Sequence, residues 1–262
     1  MKTAIVVSTY NWPSALSVCL KSIASQSVLP DEVIIADDGS TQETARLIEK
    51  FKKDFPIQIT HIWQPDEGFQ LSKIRNKAIA STDADFIIQI DGDVILHKNY
   101  VKDFIHLAKK GVCILGSRVS LSKSLSERVM HSSKLPNINL FTPGIIQKRF
   151  RAIYCPIGRY FSHLYKKNTI RGFGCSMAFW REDFIAINGY DERFVGWGCE
   201  DRDLLLRLRQ NGVSTHKMLF IGIVYHLWHK EADRSFRSSN RKLCYGKDKN
   251  EIFCPQGISQ YL

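Results

Sequence analysis

Five short apolar runs, separated by stretches of helical spacing, occupy the first 116 residues and leave little choice of architecture. Residues 4–7, Glu32–Ala36, Ile57–Ile62, Phe86–Ile90 and Val112–Leu115 each have the length and composition of a strand. Between them, Leu16, Leu20, Ile23 and Ala24 share one helical face, and further helices are predicted from Ser40 to about Lys53, over Leu71–Ala80 and over Tyr100–Lys109. Ser40 with Glu43 three residues on reads as a capping box for the second helix. Strand and helix alternate with short connections, which predicts an α/β fold: a mostly parallel central sheet with helices on both faces.

In such sheets ligands bind beyond the carboxyl ends of the strands. Three polar clusters fall there, each directly after an apolar run: Ser8–Asn11, Asp37–Ser40 and Asp91–Asp93. Asp91-Gly92-Asp93 offers two carboxylates at the rim, with a glycine that lets the backbone turn sharply. Hard oxygen ligands of this kind suit Mg2+ or Mn2+, although a bare Asp-x-Asp is also an ordinary acidic turn. No G-x-G-x-x-G follows the first strand, and no G-x-x-x-x-G-K-[ST] occurs. A nucleotide in this crevice would therefore be gripped by carboxylates, Arg75 and a metal, not by a glycine loop.

From Ser117 to Lys167 the periodicity fades, with helical stretches only around Leu125–Met130 and Arg149–Leu164. Aromatic residues there (Phe150, Tyr154, Tyr160, Phe161, Tyr165) stand among lysines and arginines, a composition suited to an acceptor loop, a membrane contact or a core-facing helix with a basic outer side. Order returns with a strand and helix over 171–186. Gly196-Trp197-Gly198 then presents an aromatic ring on a turn, and Glu200, Asp201 and Asp203 open a helix. Acids in a first turn are favoured by the helix dipole; beside an exposed tryptophan they also make a sugar-binding arrangement. An apolar strand over Met218–Val224 leads to His226 and His229, three apart, as candidate metal ligands. Tyr245, Lys247 and Lys249 in the basic tail are candidate phosphate contacts. The chain divides into a regular half (1–116), an irregular insertion (117–170) and a second ordered half with its basic tail (171–262).

Val6-Val7-Ser8-Thr9-Tyr10-Asn11, Asp37-Asp38-Gly39-Ser40, Arg75-Asn76 and Asp91-Gly92-Asp93 together resemble family-two glycosyltransferases of the GT-A fold, which pair a Rossmann-like nucleotide-binding half with an acceptor-binding half. Gly189-Tyr190-Asp191-Glu192 through Gly196-Trp197-Gly198-Cys199-Glu200-Asp201, with His226-x-x-His229, is similar to the carboxyl-terminal segment of the β-1,4-galactosyltransferases. Bacterial capsule enzymes of the chondroitin-polymerase type combine the two. The resemblance implies inverting transfer from a UDP-sugar to a hydroxyl of a glycan or lipid-linked glycan, with Mn2+ or Mg2+. It assigns Ser8 and Tyr10 to the uracil, Asp38 to its ring N–H, and Arg75 to the diphosphate. It assigns Asp93 to the metal, with Asp91 near the ribose or the metal. Asp201 becomes the catalytic base, Glu200 an acceptor-binding acid beside it, and Trp197 the acceptor platform. Where the galactosyltransferases use Met-x-x-His to complete the metal site, His226 and His229 stand here, and Cys199 replaces the family's second glycine.

The hydrophobic fraction of 44% and charged fraction of 24% are ordinary for a globular chain, and no run approaches the roughly 18 apolar residues of a membrane span. Seven cysteines without a C-x-x-C pair argue against a disulfide framework and fit a reducing compartment. With no signal peptide apparent, the expected location is the cytoplasm, peripheral at the inner face of the membrane. The net charge of +11 suits an anionic acceptor or an anionic membrane surface. Nucleic acid is not the expected partner, because no repeated stacking-aromatic motif accompanies the charge. A sugar nucleotidyltransferase is the alternative enzyme, but Ser8–Pro13 lacks the glycine-rich basic loop it would want.

Overall fold

The computed structural model describes residues 1–161, 174–230, 233–248 and 251–262. The apolar runs form β1 (Thr3–Thr9), β2 (Glu32–Asp37), β3 (Gln58–Trp63), β4 (Phe86–Asp91) and β6 (Val112–Leu115), with a short β5 (Val94–Leu96) directly after the Asp-Gly-Asp. The intervening helices are α1 (Pro13–Ala24), α2 (Gln42–Asp54), α3 (Leu71–Ala80) and α4 (Tyr100–Leu107). Later in the chain β7 (Ser117–Leu121), α5 (Lys123–Met130), β8 (Ile145–Gln147), α6 (Gly158–Phe161) and β9 (Ser176–Trp180) follow. Then come α7 (Arg181–Ala186), α8 (Glu200–Gln210), β10 (Ser214–Lys217), β11 (Ile223–His226) and α9 (Arg237–Gly246).

The main sheet has the order β10-β6-β9-β4-β1-β2-β3. All its pairings are parallel except those of β9, which runs antiparallel between β4 and β6. Alternation sorts the strand residues onto two buried faces. Ile5, Val7, Val33, Ile35, Ile88 and Ile90 pack with Leu16, Leu20, Ile48 and Phe104 of the helices on one side. Ala4, Val6, Ile34, Ala36 and Ile87 pack with Ile74, Ile79, Phe184, Leu204 and Leu208 on the other. Near-continuous apolar strands are what a sheet covered on both faces requires. The chain leaves β1 to opposite sides, toward β2 and β4, so the crevice of an open α/β sheet opens above β1.

A second sheet, β5-β11-β7-β8, leans on α1 and α5 through Val18, Ile95, Val119, Leu121, Leu125 and Tyr225. It uses Ser117–Leu121, where the sequence shows no period, because β7 is ordered by pairing with β11 and β8 and not by its own pattern. Three local expectations give way. Ser40 does not cap α2; the N-cap is Thr41, without a side-chain bond, because the Ser40 hydroxyl accepts the Asn11 N–H at 2.8 Å and ties two strand-end loops together. The strand expected over Met218–Val224 starts only at Ile223, after left-handed backbone at Phe220 (φ 62) and Gly222 (φ 56), which carries it on to His226. The stretch from Arg149 is not one helix: a 3-10 turn, Arg149–Ala152, is separated from α6 by Pro156, and the part beyond Phe161 lies outside the described residues.

Candidate active site

The three strand-end clusters meet above β1. Register places Ser8 beside Asp91 on one side and Thr9 beside Asp37 on the other, and the Gly92 N–H donates to the Ser8 carbonyl at 2.7 Å. A Cβ at Gly92 would sit 3.0 Å from that oxygen, so a near-bare backbone suits the approach. Asp37 is structural: it accepts the Ser40 N–H at 2.8 Å and pairs with His61 at 2.9 Å. Asp38 is buried, with one oxygen accepting from Gln64 Nε2 at 2.7 Å and the other from the Gln70 N–H at 2.8 Å. Burial pushes its carboxyl up to about 6. Each oxygen retains acceptor capacity. Tyr10 lies exposed at the same end, its hydroxyl donating to Asp66 at 2.8 Å.

Arg75 organises the centre. Its guanidinium, on α3, is 1% exposed and makes four hydrogen bonds: Nε to Ser8 Oγ (3.0 Å), Nη2 to Asp91 (2.8 Å), and Nη1 to Asp201 (3.0 Å) and the Tyr190 hydroxyl (3.3 Å). One N–H of the five is left for a ligand such as a diphosphate. The next residue, Asn76, points the other way and clamps the Gly189–Tyr190 loop, donating to the Tyr190 carbonyl at 2.8 Å and accepting its N–H at 2.9 Å. The Arg-Asn pair thus joins α3 to both Asp91 and the segment that carries Asp201.

Asp201 stands in the first turn of α8, one of its oxygens accepting from Arg75 and from the Tyr190 hydroxyl (2.9 Å). Tyr190 is held in turn by Gln89 from β4, at 2.8 Å. Gly174 lies against the carboxylate so closely that a Cβ there would come within 2.0 Å of it. Glu200 is buried beside Asp201 and accepts the Gly198 N–H at 3.1 Å. Burial and the neighbouring Asp201 charge push its carboxyl up to about 8. Cys199, the helix N-cap, has φ 76, left-handed backbone that explains why glycine suits this position. Trp197 is partly exposed on the entering loop, with the Arg234 guanidinium 5.3 Å from its ring centre.

A second cluster stands two residues beyond Asp91. Asp93 Oδ2 lies 3.4 Å from His226 Nε2 and 3.3 Å from His229 Nε2, and one ligand atom from each falls within 4.8 Å of the others. Backbone pairing makes this juxtaposition: His226 is opposite Val94, and the Leu227 N–H donates to the Asp93 carbonyl at 2.9 Å. The residues fit a divalent cation. Asp93 Oδ1 is buried with no hydrogen-bond partner, and burial, helped by Arg118, pushes His226 down to about 3, so its imidazole is neutral and able to coordinate. Both histidines join the cluster, where the sequence left open which of them would.

The tail contributes less than its charge suggests. The Lys247 ammonium bridges Asp191 and Asp203, at 2.6 Å each, and Asp203 also holds Arg207; this network packs α8 and is not aimed at a ligand. The Tyr245 hydroxyl bonds Arg202, and Lys249 lies outside the described residues. The sequence did not single out Tyr190, Gln89 or Gly174, although each stood within a stretch read for another reason.

An open, mostly parallel sheet with an antiparallel strand inserted beside its Asp-Gly-Asp strand, and carboxylates gathered over the switch point, is the architecture of GT-A glycosyltransferases. The chain belongs to glycosyl transferase family 2, whose model matches residues 4–177. A second family model, described as the N-terminal domain of galactosyltransferase, matches residues 156–230. The chain is similar to the chondroitin synthase of Pasteurella multocida strain Pm70, 24% identical over an alignment of 241 residues, with 85% of this chain and 24% of that one covered. It thus spans about a quarter of that relative's length. The structure resembles S. aureus TarS 1–349 in complex with UDP (TM-score 0.61, 15% identity, 100% of this chain and 68% of that one). It also resembles GalNAc-T7 with UDP, GalNAc and Mn2+ (TM-score 0.63, 15% identity, 88% of this chain and 44% of that one).

Proposed function

We propose that the chain is an inverting, metal-dependent transferase that moves a hexose or N-acetylhexosamine from a UDP-sugar to a hydroxyl of a glycan acceptor, in the synthesis of a surface polysaccharide. The observation that carries this is the separation of labour around Arg75: one carboxylate, Asp201, is held apart by Arg75 and Tyr190, while Asp93 faces two histidines. The UDP and UDP-GlcNAc complexes of TarS support the donor class.

In this reading Asp38 accepts the uracil N–H, Tyr10 and Ser8 line the base, and Asp91 lies near the ribose. The last N–H of Arg75 reaches the diphosphate. Trp197 and Glu200 hold the acceptor, Glu200 as the neutral acid at neutral pH that can donate a hydrogen bond. Asp201 takes the proton of the attacking hydroxyl as the bond from that oxygen to the anomeric carbon forms and the bond to the diphosphate breaks. Attack from the side opposite the leaving group inverts the centre. Asp93, His226 and His229 hold a divalent ion, which when bound stabilises charge growing on the departing diphosphate. Two imidazoles with one carboxylate favour Mn2+ over Mg2+. We assign 1–116 to the donor, 171–262 to acceptor binding and catalysis, and 117–170 to acceptor or membrane contact.

Calorimetric titration tests the donor site: UDP should bind with Mn2+ and lose affinity without it or in His226→Ala, and metal-independent or absent UDP binding would refute the assignment. Uridine alone, free of diphosphate and metal, should bind less well as pH falls through about 6. Protonating Asp38 replaces an acceptor by a donor facing the ring N–H. An affinity flat between pH 5 and about 8 would exclude Asp38 from the base.

No described helix is long and apolar enough to cross a membrane. Phe141 (85% exposed), Phe150 (74%), Ile146 and Ile157 stand outward on the insertion, which is rich in lysine and arginine. This supports peripheral binding at an anionic, cytoplasmic membrane face. The protein should float with anionic vesicles at low salt and less so after Phe141→Ser and Phe150→Ser; no flotation at all would exclude the contact.

A further inference from the structure

The segment 251–262 carries no motif, yet it closes around the loop that presents the Tyr190 hydroxyl to Asp201. That loop has an unusual backbone: Asn188 (φ 64) and Gly189 (φ 66) are consecutive left-handed residues, and Asn188 is buried. The tail pins the Asn188 side chain at both of its polar atoms. Nδ2 donates to the Cys254 carbonyl at 2.7 Å, and Oδ1 accepts the Ser259 N–H at 2.8 Å. The Asn188 carbonyl accepts the Ile258 N–H at 3.0 Å. Gly257 passes so close that a Cβ on it would come within 1.8 Å of that carbonyl oxygen. Ile258 is itself buried, in the same apolar cluster as Ile187 and Tyr190.

Glu192 is where the tail, the loop and α3 meet. Its Oε2 accepts from the Tyr261 hydroxyl at 2.9 Å, its Oε1 accepts from Asn76 Nδ2 at 2.9 Å, and its N–H donates to the Gln256 carbonyl at 2.9 Å. Asn76 is also the residue that clamps the Tyr190 backbone from the other side. Three successive residues of α3 therefore reach three parts of one assembly. Arg75 bonds Asp201 Oδ1, the oxygen that also accepts from Tyr190; Asn76 bonds the loop; and the Lys77 ammonium stands 5.7 Å from the centre of the Tyr261 ring. These bonds engage none of Tyr10, Asp38 and Asp93, the residues read as nucleotide and metal contacts.

We propose that Glu192 and Tyr261 are positioning residues for the transfer step: through Asn76 and Tyr190, the segment 251–262 fixes where the Asp201 carboxylate stands. This rests on the reading of Asp201 as the base and deepens it, by making the tail part of that group's support. Displacing a catalytic group by about 1 Å can cost about 10²-fold in rate, so a brace of this kind acts on turnover and not on nucleotide affinity.

Three variants of the full chain test it. Glu192→Ala removes the node, and Tyr261→Phe keeps the ring over Lys77 but removes the donor. Glu192→Gln retains the node, because its amide oxygen can accept from Asn76 while its N–H donates to the Tyr261 oxygen. The readouts are UDP affinity with Mn2+ by calorimetry, hydrolysis of UDP-glucose, UDP-galactose and their N-acetyl forms, and amide hydrogen exchange. Glu192→Ala should lower the hydrolytic kcat about tenfold or more and Tyr261→Phe about threefold, with donor KM and UDP affinity within about twofold of wild type. Glu192→Gln should restore kcat to within about twofold. Exchange in Glu192→Ala should rise over 190–192 and the first turn of α8 and stay unchanged over 91–94. A wild-type kcat in Glu192→Ala overturns the proposal. So does a fall in UDP affinity parallel to kcat, which would be general damage, and so does Glu192→Gln as impaired as Glu192→Ala, which would assign the effect to charge. Failure of the donor reading would appear separately, as neither UDP binding nor hydrolysis in the wild type. In that case lost protection over 190–192 in Glu192→Ala supports the brace, and unchanged protection overturns it.

Discussion

Asp201→Asn is expected to lower sugar transfer by about 10²–10⁴-fold while leaving UDP affinity within a few-fold of wild type. Asparagine keeps the shape of the side chain and an oxygen for Arg75 and Tyr190, which both donate to Asp201 Oδ1. What it removes is the capacity to accept a proton. The nucleotide contacts proposed for Asp38, Tyr10 and Asp93 lie on other segments, so binding and turnover should separate. Turnover would be followed as acceptor-dependent UDP release, and UDP binding by calorimetry. Near-wild-type transfer by Asp201→Asn would refute its role as the base. Gly174→Ala provides the complementary perturbation: the carboxylate survives, but the new methyl occupies its place and must push it aside. The same loss of transfer, with UDP binding again preserved, would show that position matters as well as chemistry.

Arg75→Leu should produce the largest loss of stability, about 3 kcal/mol, at the lower end of the range for removing one member of a buried ionic group. The lower end applies because the partners Asp91 and Asp201 retain 32% and 22% side-chain exposure, so water screens part of the uncompensated charge. For a chain of this size the melting temperature should fall by roughly 10 °C. The deficit depends on pH. Burial already pushes the Asp91 carboxyl up, and Arg75 opposes that shift. Without Arg75 the carboxyl rises further. A carboxyl raised in the folded state favours folding when protonated and loses that contribution as pH increases, so the variant should recover toward acid and be worst at neutral pH. A melting temperature at pH 7 within about 2 °C of wild type would sink this account. Arg75→Lys should not restore the site, because a single ammonium cannot reproduce the planar fork that joins Ser8, Tyr190, Asp91 and Asp201.

The central sheet was readable from the sequence because its strands are buried on both faces. The strand Thr3–Thr9, with every residue buried, carries an unbroken apolar run over residues 4–7, and that run is visible locally. Ser117–Leu121 was not readable. Val119 and Leu121 face the core under the second sheet, but Arg118 and Ser120 face the cleft, and five residues of mixed character carry no decisive period. Ser40 misled for a related reason. Its spacing to Glu43 satisfies a local capping rule, yet its hydroxyl found a better-placed N–H on Asn11, 29 residues away.

The site divides along the same line. Asp91, Asp93, Asp201, His226 and His229 could be named in advance because the roles proposed for them require particular side-chain types, which a sequence displays. The partners that hold them could not. Arg75 can be named as a ligand contact, but not as the guanidinium that also bridges two carboxylates; Lys247 reads as a free cation until it lies between Asp191 and Asp203; and Gly174 matters only because a carboxylate from 27 positions later rests against it.

By itself, then, the sequence determined the layered α/β architecture, the order of its main strands and helices, and the inventory of acids and histidines at the strand ends, because burial and chemistry both constrain residue type at single positions. Only the tertiary structure decided which of those groups face one another. It put Asp201 on Arg75, and His226 and His229 on Asp93, because charge pairing and desolvation are set by distances across the fold, and strand register, not neighbouring sequence, fixes those distances.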